Sequence, residues 1–225
     1  MQSDELVRSR LKTPKAAAIA GLLFSVLFIS AFSLLLISVP SDPAESGEWL
    51  RTSSTSVGIA LNLIPFAGIA FLWFIGALRD RLGELEDHFF ATVFLGSGLL
   101  FLAMLFTLAA VVGAIILTFA ADPKDVASSA TFHFARTLAY NLANIYMVKM
   151  AAVFMFSTST VIIYTGIAPR WTALIGFGLA LLLLLGSSYL SWIFVAFPFW
   201  VFLISICFLI DEFHRRTQLS AEARE

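Results

Sequence analysis

The sequence predicts an all-α protein, a single membrane-embedded bundle of six transmembrane helices. Of its 225 residues, 60% are hydrophobic and 13% are charged, whereas an average soluble domain has about 45–50% apolar and about 25% charged residues. A soluble fold of this size would leave the excess apolar side chains in water. Long apolar runs also alternate with short polar segments, and most basic residues fall on one side of those runs.

The first span is expected at residues 16–39, after a polar and basic segment at 1–15. Its length of about 24 residues suits a spanning helix and exceeds the about 7–15 residues of a signal-peptide core. We therefore expect an uncleaved helix. Ala17, Gly21 and Ser25 recur every four residues and share one face. Either that face admits another helix closely, or small residues are simply common in membrane helices.

The second span is expected at residues 56–78, after a turn-rich acidic loop and Trp49, which suits an interface anchor. Pro65 lacks a backbone N–H and crowds the carbonyl one turn earlier, so it predicts a kink. Asn62 lies beside that break. Local repair of the backbone is favoured over a ligand-binding role for Asn62.

The third span is expected at residues 89–120, and its length is unusual. As one helix it would be about 48 Å long, against a hydrocarbon core of about 30 Å. It must therefore tilt strongly, bend or project beyond the bilayer.

The last apolar run, residues 171–210, is nearly uncharged and would form one helix of about 60 Å. Its only polar interruption, GSSYLS at 186–191, predicts a tight hairpin. Spans five and six are then expected at 171–187 and 190–210. Pro198 should kink the sixth span near Phe194, and residues 211–225 form a polar tail.

The distribution of basic residues predicts that both chain ends are cytoplasmic. One side of the predicted spans collects ten Lys and Arg residues, and the other side collects three, with Lys149 left out because it lies within a span. Loops rich in Lys and Arg stay in the cytoplasm. An even number of crossings fits this partition.

The fourth span, residues 134–166, differs from the others because polar side chains occupy or adjoin its first half. They are His133, Arg136, Tyr140, Asn141, Asn144 and Lys149. At 100° per residue, all of them except Lys149 fall within an arc of about 140°, and Thr158 and Ser159 return to that arc. Polar groups at hydrocarbon depth are costly and usually face protein or water.

Two interpretations of this polar stripe remain open. Counted from Arg170, Lys149 lies about 31 Å along the helix, near the outer edge of the hydrocarbon. In the favoured interpretation the outer ends of helices three and four rise out of the bilayer, and the stripe is a wetted interfacial face. In the other, the stripe lines an outward-facing cavity in which Arg136 and Lys149 attract anions.

Known catalytic and cofactor motifs are missing from the sequence. It has no HExxH, GxSxG, Walker or dinucleotide-binding pattern. We expect no metal and no cofactor, and Cys207, the single cysteine, excludes an intramolecular disulfide. An enzyme is disfavoured but not excluded, and a net charge of −1 gives no reason to expect nucleic acid as a partner.

The first functional hypothesis is a binding, regulatory or accessory subunit that uses a polar pocket on helix four. The alternatives are a small transporter or channel lined by that helix, with Pro65 and Pro198 as bend points, and a motif-poor enzyme acting on lipid. The expected partners of the protein are the lipid bilayer and either another membrane protein or a second copy of the same chain. The expected location is a bacterial inner membrane.

Overall fold

The computed structural model describes residues 14–40, 42, 47–82, 88–121, 129–186 and 193–222, and most of these residues are helical. Within these described residues, six helices form the bundle: α1 (Pro14–Ser38), α2 (Ser54–Leu82), α3 (His88–Ala121), α4 (Ala130–Thr165), α5 (Arg170–Gly186) and α6 (Ala196–Glu222). A short helix, Trp49–Thr52, precedes α2, and a 3-10 turn, Ile193–Val195, precedes α6. The described part of the chain contains no strand, so the all-α prediction is confirmed.

In the part of the chain that the structure describes, five helices, α1 to α4 and α6, are long and apolar enough to cross a membrane, which indicates a multi-pass membrane protein. Helix α5 has 17 residues, so it is about 26 Å long against a hydrocarbon core of about 30 Å. Large apolar side chains such as Ile37 (86% exposed) and Leu117 (73% exposed) point away from the bundle. Such an exterior suits acyl chains rather than water.

Successive helices run antiparallel along most of the chain. Helices α1 and α2 meet at Phe24–Phe71 and Gly21–Phe74, α2 and α3 at Gly68–Phe106 and Leu61–Gly113, and α4 and α5 at Phe156–Phe177 and Ser159–Gly176. Helix α6 returns along α1, where Ser205 faces Gly21. The Lys15 ammonium lies 5.7 Å from the Phe213 ring centre. The start of α1 and the end of α6 therefore lie at the same end of the bundle.

The centre of the bundle is a cluster of phenylalanine rings, one from each helix except α5. Its members, Phe24, Phe71, Phe101, Phe154 and Phe197, are all buried. The ring centres of Phe24 and Phe71 are 4.7 Å apart, and those of Phe71 and Phe154 are 5.1 Å apart. Tilted and edge-on pairs at these separations are favourable. We call this set the aromatic cluster, and it fills the middle of the bundle with apolar side chains.

The small-residue face of α1 packs closely against other helices. Ala17, Gly21 and Ser25 are buried. A Cβ on Gly21 would collide with the Ser205 hydroxyl, and Ser25 Oγ lies 2.8 Å from the carbonyl oxygen of Pro198. Of the two alternatives for this face, the structure shows the close helix approach.

The two prolines occupy different places in their helices. Pro65 lies inside α2, which continues through it. The Asn62 amide donates to the Gly58 carbonyl at 2.8 Å, a bond within the same helix, which agrees with a local role for Asn62. The predicted kink of span six near Phe194 stays a prediction. Phe194 lies in the 3-10 turn, and Pro198 lies in the first turn of α6, where its missing N–H costs nothing.

The predicted hairpin at 186–191 falls mostly outside the described residues, which end at Gly186 and resume at Ile193. The predicted start of the sixth span at residue 190 also lies outside the described residues, which resume with the 3-10 turn Ile193–Val195 and continue directly as α6.

Helix α4 ends at Gly166, whose φ of 65° lies in the left-handed region that side chains with a Cβ disfavour. Its N–H donates to the Ile162 carbonyl at 2.9 Å. We expect Gly166→Val to lower the free energy of unfolding by about 1–2 kcal/mol, and Gly166→Asn to cost less because asparagine tolerates this conformation. Thermal unfolding in mild detergent measures both, and equal stability of the two variants would contradict the backbone explanation.

Candidate functional site

A second apolar cluster closes the end of the bundle opposite to Lys15 and Phe213. Trp49, Leu50, Val57, Ile115 and Phe132 are its buried members, and they come from the short helix and from the adjoining ends of α2, α3 and α4. We call this end the cap. Helices α3 and α4 have 34 and 36 residues, so each is about 50 Å long and exceeds the hydrocarbon thickness by about 20 Å.

Arg136 fixes the cap to α4. Its side chain is only 6% exposed, and Nη2 donates to the carbonyl oxygens of Pro40 at 3.1 Å and Asp42 at 2.9 Å. Its guanidinium carbon lies 5.5 Å from the Trp49 ring centre, a cation–π contact. Trp49 is therefore buried against Arg136, and its predicted role as an interface anchor is wrong.

The other predicted site residues lie on a more open side of α4. His133, Tyr140 and Lys149 are exposed, and Asn141 and Asn144 are half-buried. Thr137, one turn from His133, is exposed as well. Arg136 is thus turned inward while its neighbours on the stripe face outward. Whether the stripe forms a pocket around a ligand stays a prediction.

Helix α4 contains a π-helical segment, Leu142–Met147, at the middle of the polar stripe. The Asn144 amide donates to the Tyr140 carbonyl at 3.0 Å, and the Leu142 N–H is shared between the carbonyls of Leu138 and Ala139. Asn144 thereby satisfies a backbone carbonyl where the hydrogen-bond pattern changes. No residue in this segment predicts a π-helix, because the segment contains neither proline nor glycine. π segments are frequent at functional sites.

The π segment changes which residues share a side of α4. A π turn contains one residue more than an α turn. Each residue after it is therefore rotated back by about 100° around the helix axis from its position in a uniform α-helix. Lys149 therefore moves onto the side that carries His133 and Thr137, whereas uniform α-geometry places it off the stripe. Thr158 and Ser159, expected on the stripe, are buried.

Below Lys149 the exposed side of α4 is mostly apolar. Phe156 and Ile163 lie on it, and the ring centres of Phe156 and Phe177 of α5 are 4.8 Å apart. The deeper hydroxyls bond within their own helix, with Ser157 and Thr158 donating to the Phe154 carbonyl and Thr160 to the Phe156 carbonyl. The polar stripe does not continue across the full length of α4.

A close contact of α4, α5 and α6 was not foreseen from the sequence. Ser159 Oγ is buried against Gly176 and has no hydrogen-bond partner in the described part of the chain. Beside it, Trp200 Nε1 donates to the Thr172 carbonyl at 3.0 Å. Gly176 within the apolar run was the only sequence signal for this approach.

Among the described residues, no three His, Cys, Asp or Glu side chains lie close enough together to hold a metal ion. Comparison with known proteins adds no functional information. No protein-family model matches the sequence, and no curated protein or solved structure is similar enough to count as a match. The functional proposal therefore rests on the geometry of the cap, of α4 and of the aromatic cluster.

Proposed function

We propose that this chain is a non-enzymatic membrane protein that acts as a binding or accessory subunit, with the cap end of α4 as its contact surface. The observation that carries this proposal is the exposure of His133, Thr137 and Tyr140 beside the packed cap at one end of the bundle. The buried Arg136 contacts hold this part of α4 in place. A fixed polar surface on the membrane exterior suits recognition of another protein.

The proposal includes six crossings, with both chain ends in the cytoplasm and the cap outside, in a bacterial inner membrane. Helix α5 is at the short limit of about 17–25 residues for a spanning helix. Its antiparallel packing on α4 through Phe156–Phe177 and Ser159–Gly176 supports a sixth crossing. The contact between Lys15 and Phe213, together with the basic residues near both chain ends, supports the cytoplasmic placement.

A transporter or channel is the weaker candidate because a path needs polar or wet surface across the whole membrane. The aromatic cluster occupies the middle of the bundle, and the exposed side of α4 becomes apolar below Lys149. Neither feature offers a route for a polar solute.

Site-specific photo-crosslinking in native membranes tests the binding proposal. A photoreactive phenylalanine analogue at Thr137 or Tyr140 is expected to give one discrete adduct with a second membrane protein or a second copy of this chain. The control position is Leu174, which is 66% exposed on the apolar side of α5 and should crosslink mainly to lipid.

Two results would contradict the proposal. One is the absence of a discrete protein adduct from both cap positions. The other is solute flux in proteoliposomes that Asn144→Ala abolishes, since that outcome favours transport. Arg136→Ala does not discriminate between the two functions because it also removes the contacts that hold the cap.

A further inference from the structure

Lys149 lies at hydrocarbon depth on the outside of the bundle. Phe24 and Phe154 both contact Phe71 in the aromatic cluster, so they mark one level across α1 and α4. Lys15 is nine residues from Phe24 on one side of that level, about 14 Å along α1. Lys149 is five residues from Phe154 on the cap side, about 8 Å along α4.

If Lys15 marks the edge of the hydrocarbon at the end opposite to the cap, these two distances span about 21 Å of a core about 30 Å thick. Lys149 then lies about 9 Å inside the cap-side edge. The depth predicted from the sequence, near the outer edge of the hydrocarbon, counted residues 166–170 as part of the helix. Because the helix ends at Thr165 and the chain turns at Gly166, Lys149 lies deeper than that count indicated. Lys149 is exposed. A charged group at this depth must reach the interface or meet an opposite charge.

The direction of the side chain favours the cap-side interface. Side chains of a helix lean toward its N-terminus, and the N-terminus of α4 lies at the cap. The Lys149 ammonium is thereby directed to the level at which the phosphates of the cap-side leaflet begin. Tyr146, three residues earlier and 55% exposed, is an aromatic residue of the kind enriched at that level.

The polarity along this side of α4 follows the polarity of a phospholipid. Tyr146 and Lys149 lie toward the interface, and the exposed Phe156 and Ile163 lie deeper, within about 40° of Lys149 around the helix. Phe177 of α5 extends the apolar part beside Phe156. A cation above an apolar strip is complementary to an anionic headgroup above an acyl chain, whereas a partner helix would require no such order.

We propose that this surface binds one anionic phospholipid of the cap-side leaflet, with its phosphate at the Lys149 ammonium and an acyl chain along Phe156 and Ile163. The lipid lies deeper than the cap surface assigned to protein binding, so this inference goes beyond the proposed function and does not depend on it. The site would select this lipid from the surrounding bilayer lipid by the negative charge of its headgroup.

Native mass spectrometry of the purified chain tests the proposal. The protein in mild detergent is titrated with palmitoyl-oleoyl phosphatidylglycerol or with the zwitterionic phosphatidylcholine of the same acyl chains. We expect preferential retention of phosphatidylglycerol, and about fivefold weaker retention after Lys149→Gln. Lys149→Arg should keep the preference, and inorganic phosphate should not displace the lipid because it lacks acyl contacts.

The matched control is Arg51→Gln, which removes an exposed positive charge from the short cap helix and should leave lipid retention unchanged. Lys149→Gln should keep the lipid-free melting temperature because the side chain is exposed. Equal retention of the two lipids, or equal losses from the two Gln variants, would overturn the proposal. A carbodiimide crosslink from Lys149 to another protein in native membranes would instead assign this surface to an acidic protein partner.

Discussion

Replacing Arg136 with glutamine is expected to lower the free energy of unfolding by about 3–5 kcal/mol and to loosen the cap. The substitution removes two charge-assisted hydrogen bonds, to Pro40 and Asp42, and the cation–π contact with Trp49. Each such hydrogen bond contributes about 1.5–3 kcal/mol, and a cation–π contact contributes about 0.5–2 kcal/mol. The expected loss is smaller than their sum because the glutamine amide can still donate one of the two hydrogen bonds. Arg136 thereby joins α4 to a segment more than 90 residues earlier in the sequence.

Two measurements check this prediction. Thermal unfolding in detergent gives the change in stability, and hydrogen exchange followed by mass spectrometry should show faster exchange at Trp49–Thr52. Lys149→Gln is the matched control, because it removes one positive charge from an exposed position of the same helix. If Arg136→Gln leaves exchange in the short helix unchanged, then Arg136 does not hold the cap.

Gly176→Ala is expected to destabilise the protein by about 1–3 kcal/mol, and Gly176→Leu by more, because the site is already full. A Cβ at Gly176 would collide with the Ser159 hydroxyl and lie 2.6 Å from Trp200 Nε1. Relief would require α5 to move away from α4 and α6, which would also strain the bond from Trp200 to the Thr172 carbonyl.

Gly178 provides the control on the same helix, because a Cβ there meets nothing within 4 Å. Gly178→Ala should be neutral or stabilise the helix by about 0.5–1 kcal/mol. Adding Ser159→Gly to Gly176→Ala should recover part of the lost stability, since it removes one of the two obstacles. Melting temperatures of the four variants decide this. Equal effects of alanine at positions 176 and 178 would refute the proposed close contact.

The helices of this protein could be predicted well from sequence because the signal for each is local. A long apolar run without charge predicts one spanning helix wherever it occurs. The predicted first and third spans, residues 16–39 and 89–120, agree with α1 and α3 to within a few residues. Pro198 lies in the first turn of α6, and its carbonyl oxygen lies 2.8 Å from Ser25 Oγ of α1, a contact that the residues around Pro198 do not predict.

The polar stripe could be found from sequence, but its geometry could not. Arg136 bonds to carbonyls 94 and 96 residues away, and nothing in the residues around Arg136 identifies such partners. The π segment Leu142–Met147 has no marker residue, yet it decides that Lys149 shares a side of α4 with His133. A uniform helical wheel therefore misplaces every residue after Asn141.

The sequence alone determined that most of this chain forms long apolar helices, as in a multi-pass membrane protein, and that helix four carries the polar side chains. Both properties depend on side-chain chemistry summed over short stretches. The tertiary structure decided which of those polar groups are buried and which are exposed. The π segment changes which side of α4 the later residues occupy, and Arg136 is buried because it donates hydrogen bonds to backbone carbonyls far away in the sequence.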